Sequence, residues 1–275
     1  MEGLLSGDYR SALLGDGSEL AQIRPYTPGD DVRQIDWNVT ARTSEPHVRI
    51  QHAERVLVTW LVLDTSPSMQ FGTAERRKAD VAEGVALALG HVATRRGNRL
   101  GVVTFGDGET RSAPVRQGRL GLIGLLGTLR EQPPATDGRV GATSLGEAIR
   151  RADALARQRS LVVLVSDFRG PMDWRKAMLQ LAGRHDVIAV EVRDPREQEL
   201  PQAGELWLVD PETGRLLRVD TRSEKLRRRF AEAAAAERRG LAQIFTKVGV
   251  RHVVLTTSGD WLRQLAVFLR KTRPR

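Results

Sequence analysis

Three short side chains that carry oxygen atoms follow a strongly apolar segment, Val56–Leu63. They are Asp64, Ser66 and Ser68, which stand at alternate positions. A carboxylate and two hydroxyls are hard donors that suit Mg²⁺, with Mn²⁺ or Ca²⁺ as alternatives, and the sequence has no cysteine with which to favour softer metals. Because three short side chains on one tight loop fill only part of an octahedral shell, further oxygen ligands must come from elsewhere in the chain.

Two later segments could supply those oxygens. Ser160–Val165 is a second apolar run that leads into Ser166 and Asp167, and a glycine-flanked loop places Thr143 just before a helical pattern. In open parallel sheets, ligands bind outside the carboxyl ends of the strands. Two parallel strands that end at Asp64 and Asp167 would therefore bring both carboxylates to one edge of the sheet.

In type and order, these residues resemble the metal-ion-dependent adhesion site of von Willebrand factor A domains. In that family, two serines and a threonine bind Mg²⁺ through their hydroxyls, and the aspartates act largely through water. A partner's acidic side chain typically completes the metal shell, so the resemblance implies recognition rather than hydrolysis. It also implies a metal site with no catalytic residue and no organic cofactor. The implied metal-site residues are Asp64, Ser66, Ser68, Thr143 and Asp167.

The N-terminal region carries a longer motif. Residues Arg24–Trp37 run Arg-Pro-Tyr-Thr-Pro-Gly-Asp-Asp-Val-Arg-Gln-Ile-Asp-Trp, and Ala41-Arg42 and Glu54 follow. This motif is similar to the hallmark of the bacterial family catalogued as domain of unknown function 58. Members of that family look like von Willebrand factor A domains and are commonly associated with MoxR-type AAA+ ATPases. The resemblance implies an adaptor or co-chaperone that acts with such an ATPase on an unknown client protein.

Alternating strands and helices predict the fold. This pattern indicates an α/β protein with a mainly parallel, doubly wound sheet, Rossmann-type and von Willebrand factor A-like. Glu205–Val209 and Arg215–Val219, joined by Asp-Pro-Glu-Thr-Gly, predict a late β-hairpin. The other predicted elements are strands at 55–63, 100–105, 160–167, 186–192 and 250–256, and helices at 75–94, 120–130, 144–157, 173–182 and 260–270.

Residues 1–54 depart from this alternation, because prolines and glycines interrupt regular structure there. We therefore predict an irregular N-terminal arm at 1–54 and a von Willebrand factor A-like domain at 55–275. The charges of the arm are expected to satisfy one another, although they could instead form a surface for a partner. The expected pairs join Asp30, Asp31 and Asp36 to Arg24, Arg33 and Arg42.

The basic composition does not by itself indicate a nucleic-acid partner. The formal net charge is +9, but only five of the 43 basic residues are lysine, and the basic residues are scattered along the chain. Since no nucleic-acid-binding motif accompanies them, we expect no such partner. The longest apolar runs are far shorter than the roughly 20 residues that span a bilayer, and the N-terminus does not resemble a signal peptide. We therefore expect a cytoplasmic protein without a membrane span.

Motifs of the common hydrolases are absent from the sequence. It has no phosphate-binding loop, no His-Glu-x-x-His and no Gly-x-Ser-x-Gly, and its five histidines are dispersed. We therefore predict a metal-dependent protein-interaction module rather than an enzyme. The alternative is a Mg²⁺-dependent phosphoester hydrolase, in which Asp64 and Asp167 activate water through the metal.

Overall fold

The computed structural model describes residues 14–52, 57–73, 75–94, 98–106, 110–130 and 144–271. The chain divides into two units, and the second runs from Leu57 onward. In the first unit, β1 (Leu14–Pro25) pairs antiparallel with β2 (His47–His52), and α1 (Trp37–Thr43) lies between them in sequence. These elements correct the expectation of an irregular arm for this part of the chain.

Charge pairs within the first unit follow the prediction in part. The Arg24 guanidinium donates to both carboxylate oxygens of Asp30, at 2.7 and 2.8 Å, as expected. Asp36, however, pairs with Arg49 on β2 at 2.8 Å. Because Asp36 also caps the N-terminus of α1, its hydrogen bonds from Arg49 and from the helix backbone hold its pKa at about 2.

The strands of the second unit are β3 (Val58–Asp64), β4 (Arg99–Phe105), β5 (Arg111–Gln117), β6 (Leu161–Ser166), β7 (Asp186–Arg193), β8 (Glu205–Val209), β9 (Leu216–Asp220) and β10 (Arg251–Thr256). Six of them form a sheet in the order β10-β7-β6-β3-β4-β5. All neighbouring strands are parallel except β5, which runs antiparallel to β4, so the predicted α/β fold with a mainly parallel sheet is confirmed. The predicted hairpin is confirmed as β8 paired with β9.

Helices cover both faces of this sheet. They are α2 (Lys78–Ala93), α3 (Gly118–Arg130), α4 (Leu145–Leu155), α5 (Trp174–Arg184), α6 (Glu224–Lys247) and α7 (Trp261–Lys271). On one face, α4, α5 and α6 contribute apolar side chains to a continuous core with the strands. On the other, α2 contacts both α3 and α7, since Gly90 lies against Leu125 and Gly84 against Trp261.

An aromatic cluster fixes the segment that follows β6. The ring of Phe168 meets Phe245 of α6 edge to face at 5.0 Å and Trp174 of α5 at 6.0 Å. Phe168 has a φ of +54°, which is uncommon for a bulky residue. Its packing in the core offsets the cost of that conformation, so the neighbouring Asp167 is held in one place.

His185 is a buried histidine whose neutral form fits its surroundings. Its Nδ1 accepts a hydrogen bond from the Ser160 N–H at 3.2 Å, and its Nε2 lies 3.2 Å from an Asp153 oxygen. Burial lowers the pKa of His185, although the Asp153 carboxylate opposes that shift. Because the unfolded chain takes up the proton first as pH falls, the stability contributed by neutral His185 is present above pH of about 6.5 and is lost below it.

We expect the melting temperature of the wild-type protein to fall more steeply between pH 7.5 and pH 5 than that of His185→Gln. The difference should be about 2–4 °C, the shift that 1 kcal/mol produces in a domain of this size. Differential scanning fluorimetry across this pH range measures it. The control His91→Gln replaces an exposed histidine of α2 and should keep the wild-type slope. Equal slopes for wild type and His185→Gln would refute this assignment.

Candidate metal centre

The loop after β3 brings three of the predicted residues together. Asp64 is the last residue of β3, and its Oδ1 accepts a hydrogen bond from the Ser66 N–H at 2.9 Å. A short 3-10 helix, Pro67–Gln70, then turns Ser68 back, so that its Oγ lies 3.1 Å from Ser66 Oγ. The loop therefore gathers one carboxylate and two hydroxyls, all potential oxygen ligands.

The end of β6 supplies the fourth predicted residue. Leu63 is paired with Val165 across the two strands, which places Asp64 beside Ser166. The Ser166 hydroxyl donates to Asp64 Oδ2 at 2.5 Å, and the Ser68 side chain lies near enough to Asp167 to help lower the pKa of that carboxyl. Strand order reverses between β3 and β6, which is the position where ligands bind in open α/β sheets.

The loop is fixed from its other side by the end of β4. The Thr65 N–H and hydroxyl both donate to the Phe105 carbonyl, each at 2.8 Å. The next residue, Gly106, has a φ of +111°, and a Cβ there would lie 2.5 Å from the backbone nitrogen of Ser66. Only glycine allows this close approach, which keeps Ser66 and Ser68 against the sheet.

Thr143, the fifth predicted residue, lies outside the described residues. The described chain resumes at Ser144, which caps the N-terminus of α4 by accepting a hydrogen bond from the Glu147 N–H at 3.2 Å. The role of Thr143 as a metal ligand stays a prediction.

The two carboxylates of the site differ in their electrostatic surroundings. Both are buried, with 7% of Asp64 and 5% of Asp167 exposed. Burial, together with the charge of Asp167, raises the pKa of Asp64 above its ordinary value. Burial also acts to raise the pKa of Asp167, but the Lys78 ammonium outweighs it and holds that pKa below its ordinary value. Among the described residues, Asp64 forms no ion pair, so it is the carboxylate that lacks a cation.

Lys78 is a residue of the candidate site that we did not predict from the sequence. It is completely buried, and its Nζ lies 2.6 Å from Asp167 Oδ2 and 2.7 Å from Glu197 Oε1. A signal for it was present, because Lys78 stands one turn before Val81 on the apolar face of α2, where a lysine is unusual. Ser166 was likewise not predicted as a site residue.

The donor set fits a hard divalent cation. Asp167 and Glu197 share the Lys78 ammonium, and Glu197 also lies 3.8 Å from the Arg169 guanidinium, whereas Asp64 forms no ion pair among the described residues and lies next to the serine hydroxyls. No group of three or more His, Cys, Asp or Glu side chains in the described part of the chain forms a metal cluster of its own. A cation bound beside Asp64 would also meet the hydroxyls of Ser66 and Ser68, which are hard donors that favour Mg²⁺ over a transition metal.

The sequence as a whole has relatives among known proteins. Residues 22–240 match the model of the family described as "Protein of unknown function DUF58". The chain belongs to this family. This DUF58 protein is also 40% identical over 274 residues to the uncharacterized protein Rv1480 of Mycobacterium tuberculosis. The matched region covers 99% of this chain and 85% of that relative.

Solved structures with a similar fold include BatB from Bacteroides thetaiotaomicron. The identity is 18%, the TM-score is 0.50, and the match covers 78% of the DUF58 chain and 98% of BatB. The von Willebrand factor A domain of SpRpn10 is similar over 79% of the chain and 96% of that domain, with 15% identity and a TM-score of 0.44. The DUF58 protein has a von Willebrand factor A-like fold.

The predicted location needs correction. The similar structures include an aerotolerance-related membrane protein from Bacteroides fragilis, with 16% identity and a TM-score of 0.49 over 78% of this chain and 100% of that one. This comparison contradicts the prediction of a cytoplasmic location. Within the described ranges, no helix combines the length and the apolar character needed to cross a membrane.

Proposed function

We propose that this DUF58 protein is a metal-dependent protein-interaction module. One observation carries the proposal: the buried Asp64 carboxylate forms no ion pair among the described residues and lies beside two converging hydroxyls. The Ser66 N–H and the Ser166 hydroxyl donate hydrogen bonds to this carboxylate, but neither donor carries the positive charge that would balance its burial. A bound Mg²⁺ would supply that charge and a point at which an acidic side chain of a partner could attach.

Each residue of the centre has a distinct role in this proposal. Ser66, Ser68 and Asp64 would hold the cation, with Thr143 as the further hydroxyl ligand. Ser166 orients Asp64 through its hydrogen bond to Oδ2. Lys78 orients Asp167 through their ion pair and neutralises part of the negative charge of the site.

The module is proposed to be non-enzymatic. In the alternative of a phosphoester hydrolase, Asp64 and Asp167 would activate water together through the metal. The Lys78 ammonium lies 2.6 Å from Asp167 Oδ2, and the Arg169 N–H donates to Oδ1 at 3.0 Å. Both oxygens of Asp167 are thus engaged by donors of the chain itself, which argues against a free catalytic carboxylate.

The proposed partners are a MoxR-type AAA+ ATPase and an unknown client protein. The support for them is the family resemblance of the N-terminal motif Arg24–Trp37. In this role, the DUF58 protein would act as an adaptor or co-chaperone, and the metal centre would bind an acidic side chain of the partner.

Ser68→Ala is expected to reduce capture of the ATPase by a tagged DUF58 chain by about tenfold or more, because it removes one hydroxyl ligand. Capture is measured by a quantitative pull-down at a constant Mg²⁺ concentration of about 0.1 mM, at or below the dissociation constants of weak sites, so that a loss of metal affinity lowers occupancy of the site. Constant Mg²⁺ is required because chelation would also inactivate the ATPase. The matched control is Ser112→Ala, which removes an exposed hydroxyl from β5.

Equal capture by wild type and Ser68→Ala would contradict the proposed function. The hydrolase alternative is tested with the same proteins by following Mg²⁺-dependent release of p-nitrophenol from its phosphate ester. We expect no release above the protein-free rate, and turnover that Asp167→Asn abolishes would favour the enzyme.

A further inference from the structure

The β8–β9 hairpin places an acidic side chain against the loop of the candidate metal centre. Glu212, in the turn between the two strands, accepts a hydrogen bond through Oε1 from the Ser68 N–H at 3.0 Å. The two residues are 144 positions apart, so the contact belongs to the tertiary fold rather than to a local turn. Since the Ser68 hydroxyl belongs to the donor set, the Glu212 carboxylate lies at its edge.

The turn that carries Glu212 is held in one shape by its own hydrogen bonds. Asp210 accepts from the Glu212 N–H at 3.0 Å through Oδ1 and from the Thr213 hydroxyl at 2.6 Å through Oδ2. The Gly214 N–H donates to the Asp210 carbonyl at 2.8 Å, with Gly214 at a φ of +68°. A fixed backbone therefore presents Glu212 to the loop.

Glu212 differs from the carboxylates already described. Asp64 and Asp167 are buried, and Asp167 is engaged by Lys78, whereas Glu212 is exposed. Its Oε1 holds the Ser68 N–H, while its Oε2 has no hydrogen-bond partner in the part of the chain that the structure describes. It therefore offers an exposed, ionisable oxygen ligand beside Ser68, the same chemistry that an acidic partner would offer.

We propose that Glu212 is a ligand of the metal centre that the chain supplies to itself. This inference rests on the proposed function, because it assigns to Glu212 the place that a partner's acidic side chain would otherwise take. The hairpin then closes the site, and an acidic partner must displace Glu212 to bind. Affinity for the partner then depends on how much more tightly the partner's carboxylate binds the metal than Glu212 does, rather than on the partner's contact alone.

The test uses Glu212→Gln, because glutamine can still accept the Ser68 hydrogen bond through Oε1 but lacks the charge. Mg²⁺ affinity is measured by isothermal titration calorimetry, and the hydration of bound Mn²⁺ by water-proton relaxation. We expect Glu212→Gln to weaken Mg²⁺ binding by about tenfold and to add about one water to bound Mn²⁺. The control Glu205→Gln removes a charge from the same hairpin, where Glu205 pairs with Arg218, and should leave both values unchanged.

The outcomes separate this inference from the proposed function. If the wild type binds Mg²⁺ and Glu212→Gln matches it in affinity and in Mn²⁺ hydration, Glu212 only caps the Ser68 amide and the inference is overturned. If the wild type binds neither Mg²⁺ nor Mn²⁺, the proposed function fails and the inference fails with it.

Discussion

Replacing Lys78 with methionine is expected to lower the free energy of unfolding in the absence of divalent cations by about 3–5 kcal/mol. Methionine fills a similar volume, so the loss comes from charge rather than from a cavity. The ammonium lies 2.6 Å from Asp167 and 2.7 Å from Glu197. Its loss would leave the buried Asp167 carboxylate without a cation, while Glu197 would keep only its 3.8 Å contact with Arg169. Denaturant unfolding in EDTA measures the change.

Mg²⁺ is expected to restore more stability to Lys78→Met than to the wild type, because the cation would then compensate Asp167 as well as Asp64. Lys247→Met is the matched control, since Lys247 is exposed at the end of α6 and its replacement should cost less than about 0.5 kcal/mol. A loss for Lys78→Met no larger than that of the control would show that the buried ion pairs do not stabilise the fold.

Asp64→Asn is expected to have opposite effects on stability and on binding. Asparagine keeps the shape of the side chain but removes a buried charge that lacks an ion pair among the described residues, so the metal-free protein should gain about 1–3 kcal/mol. The same change should weaken Mg²⁺ binding by about 10–100-fold, because a neutral amide replaces the carboxylate. Residues kept for function at the expense of stability behave in this way.

Thermal unfolding with and without Mg²⁺ separates these two effects. The wild type should gain about 2.7 kcal/mol when the cation is present at a hundred times its dissociation constant, whereas Asp64→Asn should gain little. A metal-free Asp64→Asn protein that is less stable than the wild type would indicate that Asp64 serves the fold through its hydrogen bonds from Ser66 and Ser166.

The sequence predicted the central sheet well because its strands are short, continuous apolar runs. Strands β3 and β6 are buried along almost their whole length, and such runs between helical patterns indicate a parallel sheet covered on both faces. Strand β5 was missed, since Pro114 and exposed polar residues hide its pattern. Proline is tolerated there because β5 lies at the edge of the sheet.

The candidate site was predictable only where its residues follow strand ends. Asp64 and Asp167 could be placed together because the ends of adjacent parallel strands share one edge of the sheet. Lys78, Glu197 and Glu212 reach the site from a helix, a short 3-10 helix and a hairpin turn, and their positions depend on tertiary packing. The Asp36–Arg49 pair in the N-terminal unit was missed for the same reason, since its partner lies on a strand that was not predicted.

Titration of the purified chain with MgCl₂ by isothermal titration calorimetry tests the central claim most directly. We expect one saturable site in the wild type and in Asp260→Asn, which changes an exposed aspartate near the start of α7. In Asp64→Asn we expect binding to be weakened by about 10–100-fold. No saturable binding by the wild type, or equal binding by Asp64→Asn, would contradict a metal centre at the end of β3.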